Sequence, residues 1–329
     1  MMKRTSIILG ATIAAAIWGS AAARAGDAPT PEVAIIDAMQ ALFGKHPGMR
    51  ANHAKGVVLD ATFAPTSQGA GLSKAALFGG PAKAVVRFSN PTGVPDISDS
   101  SANANPKGMA VQFTDKDGGV LSMAMISAPV FPVATAADFR DFFQAILATK
   151  PESAKPTPLE QFIGAHPSVV AFAQSVPAIP ASFATQTYYG LNAFKLIAND
   201  GAVTNVRFRF VPEGGEQRLS ADELKAKSPT FLMDEIGERA RTGSVKFKLV
   251  AQIGAKDDPT SDATKRWPDD RKIVELGELV VTGRVADSAS AEKALVFMPT
   301  QLADGVEPSD DPLIKSRTEA YAESYGRRQ

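Results

Sequence analysis

In residues 31–45 apolar side chains recur with helical spacing: Val33, Ile36, Ala38, Met39, Leu42 and Phe43 fall on one side, and Gly44 ends the run. The period then changes. Residues 55–63, 83–89, 108–114 and 120–133 alternate or run apolar and β-branched, which predicts strands. Clusters rich in Gly and Asp at 79–81, 91–107 and 115–119 separate them, and the last, Asp115-Lys116-Asp117-Gly118-Gly119, reads as a hairpin loop. Helical spacing returns at 136–148 through Phe139, Phe142, Phe143, Ile146 and Leu147, and again around 157–174 and 220–240. Strands are expected near 204–211, 243–253 and 273–284, the middle one alternating through Val245, Phe247, Leu249 and Ala251. Seven or eight strands with helices inserted and appended predict an α+β fold whose sheet closes into a barrel. The stretch 151–180 holds six prolines and reads as a crossover or arm, not a domain linker.

The clearest helix is the last. Asp310 or Asp311 can cap it, Pro312 suits its first turn, Arg327 and Arg328 sit late, and Gly326 marks the expected stop. On it Arg317 and Tyr321 are four apart, hence on one face. At the other end Lys3 and Arg4 precede an apolar run from Ser6 to Trp18 and the small residues Ala23-Arg24-Ala25. That is the pattern of a secretory signal peptide over residues 1–25, and the run is short for a membrane span. A single domain over 26–329 and a periplasmic or secreted location without stable membrane insertion are therefore expected.

Composition narrows the chemistry. Cysteine is absent, which excludes disulfides, thiol nucleophiles and thiolate ligands to a metal or haem. Lys plus Arg equals Asp plus Glu at 35 each, and no basic stretch is interleaved with aromatics, so a nucleic-acid partner is not expected. The three histidines, His46, His53 and His166, are too few for a His-rich metal site. His53 sits just before a strand in Arg50-Ala51-Asn52-His53-Ala54-Lys55-Gly56; such a lone histidine is by default a satisfied surface or core residue. Tyr321 is by default packing on an amphipathic helix. Its pairing with Arg317 adds a second meaning, because a guanidinium one turn away stabilises a phenolate by charge and hydrogen bonding, which an iron-ligating tyrosine requires.

Several further points then fall in one order. Arg50-x-x-His53-Ala54-Lys55-Gly56 resembles the distal-histidine motif of haem catalases, and Val86-Arg87-Phe88-Ser89 resembles their next strand. Pro106-Lys107-Gly108-Met109-Ala110-Val111-Gln112-Phe113 resembles the family's Pro-Arg-Gly-Phe-Ala strand, and Pro129-Val130-Phe131 followed by Asp138-Phe139 matches its next landmark. Glu307-Pro308-Ser309-Asp310-Asp311-Pro312 and Arg317-x-x-x-Tyr321 resemble the closing segment of catalase-related peroxidases. The resemblance runs from about residue 35 to 328. It implies an eight-stranded antiparallel β-barrel with surrounding helices holding haem b. By position it makes His53 the distal acid–base, Ser89 its orienting partner and Tyr321 the proximal iron ligand beside Arg317. Arg50, Arg87 and Arg328 match the arginines of the haem propionates, and Phe139 the phenylalanine stacked over the ring.

One position departs from the family. Where the distal asparagine is expected this chain reads Met125-Ile126-Ser127-Ala128, with Ile126 at the position itself and Ser127 on the opposite face of a strand. An isoleucine cannot hydrogen-bond a peroxide. The resemblance with this change implies a peroxidase that reduces hydrogen peroxide or organic hydroperoxides with a small organic electron donor and has weak or no catalase activity. Rearrangement of fatty-acid hydroperoxides, as in catalase-like allene oxide synthases, and non-catalytic haem binding are the alternatives. The chain lacks the long arms of large catalases, which suggests a monomer or homodimer.

Overall fold

Large apolar side chains alternate with small or polar ones along most strands, and the two sets end up on opposite sides of one closed sheet. The computed structural model describes residues 28–243 and 245–329; the expected signal peptide, residues 1–25, lies outside them. The described strands are β1 (Gly56–Pro65), β2 (Ala82–Ser89), β3 (Gly108–Thr114), β4 (Val120–Ile126), β5 (Tyr188–Tyr189), β6 (Phe194–Ile197), β7 (Val203–Pro212), β8 (Val245–Ile253), β9 (Ile273–Arg284) and β10 (Val306–Pro308). Eight of them form a ring in the order β7-β5-β4-β3-β2-β1-β9-β8, closed by pairing of β8 with β7, while β6 and β10 extend outward from β7. Every pairing in the ring is antiparallel.

The barrel interior is the main core. Val57, Leu59, Ala61 and Phe63 of β1 face Ala84, Val86 and Phe88 of β2 and Met109, Val111 and Phe113 of β3 in one buried cluster. Phe88 stacks on Phe183 at 5.2 Å between ring centres and meets Tyr188 and Phe247 at 5.8 and 6.1 Å. Strand register carries the alternation across the sheet: Ser89 pairs with Gly108 and Gly108 with Ile126, so these residues share the outer face.

The described helices are α1 (Pro31–Phe43), α2 (Ser67–Leu72), α3 (Ala136–Ala148), α4 (Pro158–Ala165), α5 (Pro167–Ser175), α6 (Ala221–Lys225), α7 (Phe231–Arg241), α8 (Ser288–Ala294) and α9 (Pro312–Arg328). A second core lies outside the barrel, where Ile35, Ile36 and Met39 of α1 pack with Phe143 and Phe139 of α3 and Ala320 of α9. This helical layer stands over the outer face of β2, β3 and β4 and leaves a space between.

Four expectations change. The strand expected over 120–133 stops at Ile126, because Pro129 and Pro132 have no N–H for a ladder and the Phe131 N–H donates instead to the Ala263 carbonyl at 2.9 Å. The helical stretch around 157–174 is two helices that break at His166-Pro167. That expected around 220–240 is likewise two, α6 and α7. The last helix runs through Gly326 to Arg328, carried by Arg327 bonding to Asp37 on α1 at 2.7 Å and by Arg328 bonding to the Leu295 carbonyl. Asp311 is its cap, accepting the Leu313 N–H at 2.9 Å.

The aromatic interior gives a stability prediction: Phe88→Ala should cost about 3–5 kcal/mol in denaturant unfolding. A loss below about 1 kcal/mol would show that the packing around this ring collapses without penalty.

Candidate active site

Between the outer face of β2–β4 and the helices α1 and α9 lies an open cavity whose empty space, adjoining solvent included, is about 1430 Å³. The sheet wall is bare. Arg87 pairs with Ala110 and Ala110 with Ala124 across β2, β3 and β4, and in the next row Ser89 pairs with Gly108 and Gly108 with Ile126. Gly108, Ala110 and Ala124 leave the middle of this wall free of long side chains. All eight candidate residues line the cavity: Arg50, His53, Arg87, Ser89, Phe139, Arg317, Tyr321 and Arg328.

His53 holds a left-handed backbone with φ 57°, the one positive φ outside glycine among the described residues. For a side-chain-bearing residue this costs about 1–2 kcal/mol and persists where surrounding bonds impose it. Here the His53 N–H donates to Asn52 Oδ1 at 3.0 Å, its carbonyl accepts from Arg87 Nη2 at 2.9 Å, and ring Nδ1 meets Ser89 Oγ at 2.9 Å. Glycine at 108 is required, since a Cβ there would lie 2.8 Å from the His53 ring. Nδ1 is thus engaged, and Nε2 is left to the cavity. Burial first, and then the charges of Arg87, Arg50 and Arg317, push the imidazole down from 6.5 to about 3.

At one end of the cavity three guanidiniums meet. Arg87, 2% exposed, donates from Nε to both carboxylate oxygens of Glu292 at 2.9 and 2.8 Å. Arg50 bonds to the same carboxylate and, through Nη2, to the Leu295 carbonyl at 2.9 Å. Arg328 bonds to that carbonyl as well, and its Nε is buried with no hydrogen-bond partner among the described residues. Burial and the neighbouring Arg87 push Arg50 down to about 9, as expected where cations outnumber anions.

On the helix side Arg317 Nη2 donates to the Tyr321 hydroxyl at 3.0 Å and to the Ala124 carbonyl at 3.2 Å. Its Nη1 donates to Asn192 Oδ1, and Asn192 Nδ2 donates to Asp311 Oδ2 at 2.8 Å. A partly buried chain of hydrogen bonds therefore fixes the guanidinium beside the phenol. Phe139 packs on Phe131, 5.1 Å between ring centres.

Ile126 lines the cavity and packs with Leu191, Ala263, Leu313, Phe131 and Tyr189. Ser127 faces away, its Oγ accepting the Lys107 N–H at 2.9 Å. Lys107 stands where the family pattern has arginine and is fully buried. Its Nζ donates to Asn90 Oδ1 and to the Asp99 and Ala104 carbonyls at 2.9, 2.9 and 2.7 Å, and burial pushes it down to about 7. Glu292 and Asn192 were not foreseen from the sequence, because neither belongs to a local motif; only folding brings them to the arginines.

The fold and the site define a barrel protein with a helix-roofed cavity on its outer wall, and over residues 15–329 the sequence matches the catalase family, to which the chain belongs. It is similar to the catalase-related peroxidase of Mycolicibacterium paratuberculosis, 36% identical over 299 residues that cover 90% of this chain and 93% of that one. That of Synechococcus elongatus is 33% identical over 325 residues, covering 97% and 94%. Among solved structures, catalase A from Saccharomyces cerevisiae aligns with a TM-score of 0.73 at 20% identity, over 89% of this chain and 64% of that one. The chain thus spans less than two thirds of that catalase. Membership makes the protein a peroxide-acting oxidoreductase with a haem cofactor.

The walls fit a haem. The Gly and Ala wall admits a flat group, and the three guanidiniums against the single Glu292 carboxylate leave two positive charges where a haem carries two propionates. The orphaned Arg328 Nε is a donor awaiting an acceptor.

Because the His53 imidazole is neutral down to about pH 3, its proton-accepting form is complete across pH 5–8, and the rate constant for reaction with peroxide should vary by less than about twofold there. The depressed value also means that stability associated with His53 is present above about pH 6.5 and lost as pH falls toward 3. Stopped-flow rates that fall with an apparent pKa near 6.5 would contradict the burial of this ring.

Proposed function

We propose that the protein is a haem b peroxidase that reduces hydrogen peroxide or an organic hydroperoxide with a small organic electron donor and releases little oxygen. The observation that carries the reading is the joint placement of a His53–Ser89 pair and an Arg317–Tyr321 pair on one cavity whose remaining lining, Ile126 included, is largely apolar.

In this reading Tyr321 would ligate the iron, and Arg317, held by Asn192, would keep the phenolate compensated. Arg50, Arg87 and Arg328 would hold the propionates, and Phe139 would help to hold the ring. When bound, the haem supplies electrons that split the peroxide O–O bond and are restored by the organic donor. His53, neutral and oriented by Ser89, takes the proton from the inner peroxide oxygen and gives it to the outer one, which leaves as water or an alcohol. Catalase-type turnover needs a second peroxide bound and oxidised at the same site. Ile126 offers it no hydrogen bond and leaves apolar space beside His53 for an organic reductant or the tail of a hydroperoxide.

That apolar lining also suits rearrangement of a fatty-acid hydroperoxide, the second reading. A haem carrier without turnover is disfavoured, since it needs no His53–Ser89 pair. The proposal extends to an exported, periplasmic or secreted enzyme acting as a monomer or homodimer, with residues 1–25 as its cleaved signal.

Tyr321→Phe should yield protein with little haem or with an altered ferric spectrum, measured on the purified variant; unchanged haem content and spectrum would remove Tyr321 as the ligand. Wild type should oxidise an artificial donor while releasing little oxygen, and Ile126→Asn should raise oxygen release several-fold, as one added hydrogen bond of about 1 kcal/mol would. Oxygen evolution by wild type that rivals a catalase would contradict the peroxidase reading.

A further inference from the structure

The apolar Ile126 leaves open which group, besides His53, steadies the peroxide. Asn52 lines the same cavity, immediately before His53. Its Oδ1 accepts the His53 N–H at 3.0 Å, which fixes which end of the amide is oxygen and which is nitrogen. The Nδ2 group is then the free end, and it makes no hydrogen bond among the described residues. Asn52 lines the cavity, so this donor is available to a polar occupant beside His53.

We propose that Asn52 is a catalytic residue that donates from Nδ2 to the peroxide oxygen protonated by His53. The inference rests on the peroxidase reading above. Two features of this loop make the assignment specific. The side chain is anchored by the backbone of the residue whose ring does the proton transfer, so donor and base move as one unit. That backbone is itself pinned by Arg87 and its ring by Ser89, so the amide reaches the cavity from a rigid start. A donor on this side assists departure of the outer oxygen, while the Ile126 side stays apolar for the organic substrate.

The test uses the haem-loaded ferric protein and two variants. Asn52→Asp retains an oxygen for the His53 N–H and loses the donor; Asn52→Val loses both. Stopped-flow reaction with hydrogen peroxide is measured together with the affinity for fluoride, an iron-binding anion that accepts hydrogen bonds from groups around it. Both quantities should fall about tenfold in both variants, the usual worth of one hydrogen bond in a buried site. Wild-type values in Asn52→Asp would show that Asn52 serves only to hold His53, and loss in the aspartate variant alone would show a charge effect; either result overturns the proposal. If wild type takes up no haem, the peroxidase reading fails, whereas haem uptake with unchanged fluoride affinity in both variants removes Asn52 alone.

Discussion

The guanidinium of Arg87 is the junction on which the site depends. A cation 2% exposed is costly to bury unless it is paired, and its pairing is distributed over two distant parts of the chain. It holds the His53 carbonyl, the Glu292 carboxylate on α8 and, with Arg50 and Arg328, an end of the cavity still two positive charges in excess. The chain makes room for it with Gly56, where a Cβ would sit 2.3 Å from Nη2. Through this one side chain the strained backbone of His53 and the cationic end of the cavity are physically linked. In the reading proposed above, propionates would complete the charge balance of the same group that keeps His53 in place.

The barrel's two faces divide the work. Inward, Phe63, Phe88, Phe113, Phe210 and Phe247 fill the ring and make a stiff wall. Outward, the same strands offer glycine and alanine at their centre and functional side chains at the edges, so the space for a flat cofactor is set by what the strands omit. The roof is independent. It is built by α1, α3 and α9 packing on one another, and α9 delivers Arg317, Tyr321 and Arg328 from one face.

Much of this was legible in the sequence because it is local or periodic. Alternation located the long strands, and the spacing of Arg317 and Tyr321 gave a shared helix face that the 3.0 Å hydrogen bond between them realises. Ser127 faces away from the cavity as the two-residue period of a strand requires. The two-residue β5 and three-residue β10 are too short for any period to register, yet β5 is needed to close the ring. Prolines at 129 and 132 ended a strand that apolar content alone had prolonged, and at the C-terminus two anchored arginines outweighed the stop signal of Gly326. Glu292 and Asn192 carry no sequence signal, since their meaning lies in partners more than a hundred residues away.

The central claim is that this cavity would hold one haem, with the Tyr321 phenolate as ligand to its iron and neutral His53 as the proton-accepting group for peroxide. Titration of the purified protein with ferric haem, followed by resonance Raman spectroscopy of the complex, tests it most directly. The account predicts uptake that saturates at one haem per chain, with the vibrations of an iron-bound phenolate. No saturable uptake, or a spectrum of imidazole ligation without phenolate bands, would contradict it.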